Sequence, residues 1–209
     1  MALAIAAIIG FIIGTRRAHR AQRTITELGS FNKLPVFAVG VLTAAIAVQL
    51  LNQFKLSWEL FAYGLMCAMC VEQSLIDITT HRLTRSVTMR AAFIGGPLLS
   101  IAAIANNHPG KIGVMALSFT TTLLTFMALS LASKRGIGAG DVRLAAVLAM
   151  FLSCLGALFV LQGLALGFIL GGIVALLLLI SRKASRNTRI AFGPYLAAGA
   201  VVTVIFQSV

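Results

Sequence analysis

The chain has little acid. Five Asp and Glu stand among 209 residues against seventeen Lys and Arg, and charged residues of all kinds reach only 11 %. A typical soluble domain is about 25 % charged, so a soluble globular fold is excluded on composition alone. Cysteine is also scarce, at three residues. Cys67 and Cys70 form a C-x-x-C inside an apolar run, YGLMCAMCVEQ, and Cys154 lies far away in another. A zinc site usually takes four ligands, so these read as packing thiols on one helix face, and no disulfide framework is implied. The histidines, His19, His81 and His108, fall in three separate polar stretches and make no metal cluster. No metal and no cofactor are expected. The sequence also lacks internal repeats, low-complexity linkers and any stretch long enough for a separate soluble domain.

What is present is apolar. Hydrophobic residues make up 59 % of the chain, and the mean hydropathy is +1.00. Eight apolar segments can be marked, at 2–14, 35–52, 58–77, 87–105, 112–132, 142–160, 164–181 and 190–208. Most can cross about 30 Å of hydrocarbon at about 1.5 Å per helical residue. The first is the short one. The sixth and seventh are separated only by Leu161-Gln162-Gly163, where a tight hairpin is expected. The expected fold is therefore all-α, a polytopic membrane protein of about eight transmembrane helices embedded in the lipid bilayer.

The net charge of +12 does not point to nucleic acid, because the basic residues sit in short loops between apolar runs. Five fall in 15–34 (Arg16, Arg17, Arg20, Arg23, Lys33), three in 78–90 (Arg82, Arg85, Arg90), three in 133–143 (Lys134, Arg135, Arg143) and four in 181–189 (Arg182, Lys183, Arg186, Arg189). The intervening loops hold Lys55 and Lys111 alone. Eight spans with both termini outside obey the positive-inside rule throughout. A secretory signal carries its positive charge before the apolar stretch, whereas here the arginines follow MALAIAAIIGFIIG. That stretch reads as a retained first helix. The 15–34 loop is the longest polar stretch, read as a helical extension with a Gly-Ser break.

Two of the five acids stand at span ends. Asp77 closes the third apolar run and Asp141 opens the sixth, so the topology sets both at the cytoplasmic side at similar depth. An ionisable residue in a membrane segment is costly and marks a functional site by default. Two carboxylates together can share a proton, one acting as acid and the other as base. Taken singly, each has a plainer reading. Asp141 is a good helix N-cap, and Asp77 is an interface charge within reach of Arg82 or Arg85. Gly136, Gly138 and Gly140 precede Asp141 in KRGIGAGDVRL. Such a loop lets an extended peptide approach closely. It is no phosphate loop, which needs Lys-Ser/Thr after its last glycine and a preceding strand. Glu72 lies five residues before Asp77, about 140° round a helix from it. It is a candidate to tune the site or to pair across helices.

These residues resemble a known family. S-L-I-D-I-T-T-H-R-L-T around Asp77 and G-I-G-A-G-D-V-R-L around Asp141 look like the two active-site motifs of prepilin peptidases, the G-x-G-D type of membrane aspartic protease. R-I-A-F-G-P-Y-L-A-A-G-A at 189–200 resembles that family's C-terminal stretch. The chain departs from the pattern at Thr84 and Ala191, where members often have proline, and at Arg143, where they often have lysine. The Tyr-Asp and Pro-Ala-Leu motifs of presenilin-like proteases are missing. The resemblance implies an aspartic endopeptidase with Asp77 and Asp141 catalytic, cleaving basic leaders from type IV prepilins or pseudopilins at the cytoplasmic face of a bacterial inner membrane. Bifunctional members carry a four-cysteine zinc domain in the first cytoplasmic loop and also N-methylate the mature pilin. Residues 15–34 contain no cysteine, which implies a short, peptidase-only form similar to tight-adherence pilus members. On this reading 1–34 is a first helix plus a short basic loop, and 35–209 is the peptidase core. The rival class is a transporter or channel whose acids bind cations or relay protons.

Overall fold

Backbone buried in hydrocarbon must satisfy its own hydrogen bonds, and a helix does so within one segment. The computed structural model describes residues 2–27, 35–132, 137–181 and 191–207, and among them every regular element is a helix. In chain order these are α1 (Ala2–Glu27), α2 (Val36–Phe54), α3 (Trp58–Thr80), α4 (Arg85–Ala105), α5 (Gly110–Ala132), α6 (Ala139–Ser153), α7 (Ala157–Ile180) and α8 (Gly193–Phe206). The protein is an all-α, polytopic membrane protein. Six helices, α1 to α5 and α7, are long and apolar enough to cross a bilayer. With 15 and 14 residues, α6 and α8 reach only about 21–23 Å at 1.5 Å per residue.

The short helices are the inner ones. From Val142 to Ser153, α6 buries ten side chains, including Leu144, Leu148, Phe151 and Leu152. It lies between α5, α7, α4 and α8. The Tyr63 hydroxyl of α3 donates to the Phe151 carbonyl at 3.1 Å, and Gly95 of α4 lies where any side chain would collide with the Phe151 ring. Outward faces remain apolar, with residues such as Phe93, Leu131 and Ile180 exposed, as lipid contact requires.

Where helices cross closely, glycine allows it. Lipid supplies no hydrophobic drive between helices, so small residues that let backbones approach are favoured there. Gly163, Gly167 and Gly171 of α7 face α8: a Cβ on Gly167 would stand 2.9 Å from the Leu196 Cα, and one on Gly199 would stand 2.5 Å from the Gly167 nitrogen. Gly10 and Gly14 of α1 meet α2, where Thr43 Oγ1 donates to the Gly10 carbonyl at 2.9 Å.

The helical extension expected after the first apolar segment is present, as α1 runs on through the four arginines to Glu27. The basic stretch is thus mostly helical extension, and the Gly29-Ser30 break lies outside the described residues. The hairpin between the sixth and seventh segments is not at Leu161-Gln162-Gly163, which lies inside α7. The chain turns at 154–156 instead, through Gly156 at φ 153°, a conformation that side-chain-bearing residues avoid. Asp141 is not the N-cap of α6. Gly138 holds that position and Asp141 is at N3.

Candidate active site

Asp77 sits in the last turn of α3, 4 % exposed. The helix stops because His81 adopts a left-handed conformation at φ 51° and returns its N–H to the Asp77 carbonyl at 2.8 Å. The Asp77 carboxylate does not pair with Arg82 or Arg85, which are exposed; among the described residues it makes no ion pair. Its Oδ2 accepts instead the backbone N–H of Gly193 at 3.0 Å, the first residue of α8. A helix N-terminus leaves N–H groups unpaired and carries partial positive charge, so α8 presents its free donor to this carboxylate. Pro194 follows at the start of the same helix, where its missing N–H costs nothing.

Asp141 occupies the first turn of α6, half-buried. Its Oδ2 reaches back to the Gly138 N–H at 3.3 Å, which is the carboxylate half of a capping box. Asp141 lies within electrostatic reach of the Asp77 charge. Each carboxylate therefore has one oxygen steadied by a glycine N–H, on two different helices whose facing ends lie at the same end of the bundle.

Leu83 connects the two halves. A Cβ on Gly140 would stand 2.8 Å from the Leu83 Cβ, and a Cβ on Gly193 would stand 2.9 Å from the Leu83 Cδ2 and 2.8 Å from Asp77 Oδ2. Gly140 and Gly193 are thus glycines of close approach, with Leu83 lodged between the α6 and α8 starts. The turn carrying Leu83 is held by Gln73, one helical turn before Asp77 and fully buried. Its Nε2 donates to the Thr84 carbonyl at 2.9 Å and to Thr88 Oγ1 at 2.6 Å, while its Oε1 accepts the Thr84 N–H at 3.0 Å. Removing that amide leaves the partly buried Thr84 backbone groups and the buried Thr88 hydroxyl without this partner, at about 1–3 kcal/mol.

Of the residues singled out from sequence, Asp77, Asp141, Gly138 and Gly140 come together. Gly136 lies outside the described residues. Glu72, 4 % exposed, faces away from Asp77 and pairs with Arg17 of α1. It joins α1 to α3 and takes no part in the carboxylate pair. Gln73, Leu83 and Gly193 were not singled out. The signal for Gln73 was its spacing of four from Asp77, which puts both on one helix face.

The sequence pattern of the type IV leader peptidase family matches residues 61–180, which include both aspartates. A curated relative, the prepilin leader peptidase/N-methyltransferase of Xanthomonas campestris pv. campestris, is 26 % identical over 167 residues, covering 78 % of this chain and 56 % of the relative. The chain thus spans little more than half the length of that relative. No solved structure matches. With more than half its length inside the family pattern, from α3 through α7, the chain belongs to the type IV leader peptidase family.

Proposed function

We propose that the protein is a membrane aspartic endopeptidase that removes the basic leader from type IV prepilins or pseudopilins at the cytoplasmic face of a bacterial inner membrane. The observation that carries this reading is that the end of α3 with Asp77 and the start of α6 with Asp141 gather on one Leu83, which abuts both Gly193 beside Asp77 and Gly140 beside Asp141, in a chain of this family. Two carboxylates serving one water share a proton between them, so that one works ionised and the other protonated. One ionised carboxylate takes a proton from a water held between them. The other, protonated, polarises the scissile carbonyl and then gives its proton to the departing amine. The Gly193 and Gly138 N–H groups steady one oxygen on each aspartate and leave the other for water or substrate.

The distribution of charge supports the location. A basic leader stays on the cytoplasmic side by the positive-inside rule. Fifteen of the seventeen basic residues fall in 15–34, 78–90, 133–143 and 181–189, the stretches of sequence at and beside the chain connections on the side where α3 stops and α6 and α8 start. A transporter or channel would set its acids near the bilayer midplane at broken helices, whereas these stand in a last and a first helical turn. The absence of cysteine from 15–34 favours cleavage without methyl transfer.

The test is co-expression of the full chain with a prepilin bearing a basic leader, a glycine and an apolar run of about 20 residues, followed by N-terminal sequencing and mass measurement of the product. A cut after the glycine that leaves an unmethylated amine is expected. An intact prepilin beside correctly inserted protein contradicts the reading, and a methylated product contradicts its peptidase-only part.

A further inference from the structure

On the far side of α3 from Leu83, the helices α1, α2 and α3 enclose a groove of about 600 Å³, within the range of roughly 300–1,000 Å³ common for small-ligand sites. Its walls are apolar over most of their length and basic at one end. The stripe Ile5, Ile9, Ile13, Arg16, Arg20 runs down one face of α1 at spacings of three and four, and all five line the groove. From Ile5 to Arg16 is about 16 Å at 1.5 Å per residue. The three isoleucines are between 42 and 51 % exposed, so the groove opens toward lipid.

The charge at the basic end is uncompensated. Arg17, which also lines the groove, is neutralised by Glu72. Arg16 and Arg20 are exposed and have no acidic partner among the described residues. The Arg17–Glu72 pair fixes this layer beside α3 five residues before Asp77, in the same half of the bundle as the carboxylates. An apolar channel ending in two free guanidiniums has the polarity of an amphiphile with an anionic head. Guanidinium binds phosphate oxygens in a bidentate fork, and basic residues at a membrane surface attract anionic lipid.

We propose that this groove holds one anionic phospholipid, its phosphate on Arg16 and Arg20 and an acyl chain along Ile5, Ile9 and Ile13 against α2 and α3. The site is separate from the carboxylate pair and does not depend on the peptidase reading. The bound lipid covers the exposed stripe of α1 and seats that helix on α2 and α3.

The test uses the purified full-length protein in mild detergent, with retained lipid counted by native mass spectrometry during titration. Three probes are compared: phosphatidylglycerol, phosphatidylcholine with the same acyl chains, and free glycerol phosphate. Two variants separate the contributions. The double substitution Arg16→Gln with Arg20→Gln removes the head site. Gly64→Leu fills the groove, since a Cβ on Gly64 meets nothing within 4 Å and the position lines the cavity. Phosphatidylglycerol is expected to bind on the order of tenfold more tightly than phosphatidylcholine. That preference is lost in the double arginine variant, and both lipids bind more weakly in Gly64→Leu. Glycerol phosphate alone does not compete. Equal binding of the two lipids by wild type overturns the proposal, as does a preference that survives loss of both arginines. Binding unaffected by Gly64→Leu, or full competition by glycerol phosphate, shows that the groove is not the seat and overturns it equally.

Discussion

At the scale of single residues, the site depends on where glycine permits contact. Gly193 both donates to Asp77 and abuts it, with no room for a Cβ between Asp77 Oδ2 and Leu83. Gly193→Ala must displace the carboxylate, the leucine or the start of α8. A shift of about 1 Å in a reacting group costs on the order of 10²-fold in rate. The variant should therefore cleave prepilin on the order of 10²-fold more slowly while remaining inserted and folded, as judged by its yield and thermal unfolding in detergent. The aspartates themselves were legible in sequence, because acid is rare and costly in such a chain and both sat at span ends. Glu72 was legible as unusual but not in its role. Its partner Arg17 lies fifty-five positions away, and only the packing of α1 against α3 brings the two together. Gln73 carried no mark of cost, being neutral, and its bonds to Thr84 and Thr88 depend on a turn whose path sequence spacing does not fix.

At the scale of elements, helix existence followed from apolar runs, whereas helix ends followed from chemistry that hydropathy does not see. A hydropathy reading puts a turn at the polar Gln162. The chain turns at Gly156, where the backbone takes a positive φ that side-chain-bearing residues avoid, and keeps Gly163 inside α7 to meet α8. Likewise the arginines after residue 14 end an apolar run but not a helix, since arginine is a good helix former. The α7–α8 contact gives a paired prediction. Gly167→Leu must push α8 backbone aside and should lower stability by about 1–3 kcal/mol, read as a fall in the unfolding midpoint in detergent. Gly172→Leu, on the same helix but with open space at its Cβ, should change that midpoint little. Equal effects of the two substitutions would show that the glycine face does not carry the packing.

At the scale of the whole molecule, charge and packing agree about which end is which. The α3–α4 turn and the starts of α6 and α8 gather around Leu83 and Gly193. At the other end Gln53 donates to the Ile205 carbonyl at 2.6 Å and Asn106 donates to Glu59 at 3.1 Å. The basic stretches of sequence adjoin the first of these ends, and the proposed cytoplasmic placement of that end by the positive-inside rule can be tested directly. A single cysteine at Arg85, in a chain whose three native cysteines are replaced by alanine, should resist a membrane-impermeant thiol reagent added to intact cells and react after the membrane is opened. A cysteine at Asn107 should react in intact cells. The reverse pattern would put the carboxylates on the wrong face for a leader that never crosses the membrane.

The central claim is that Asp77 and Asp141 act on one water, and it is tested most directly by prepilin cleavage with Asp77→Asn and Asp141→Asn. Asparagine keeps the shape and removes the ionisable carboxyl that can take up or give a proton, so each variant should insert normally. Each should lose at least on the order of 10²–10⁴-fold in rate, and the double variant should be no slower than the worse single one, as for groups that act as a unit. Cleavage within about tenfold of wild type by either inserted single variant would contradict the account.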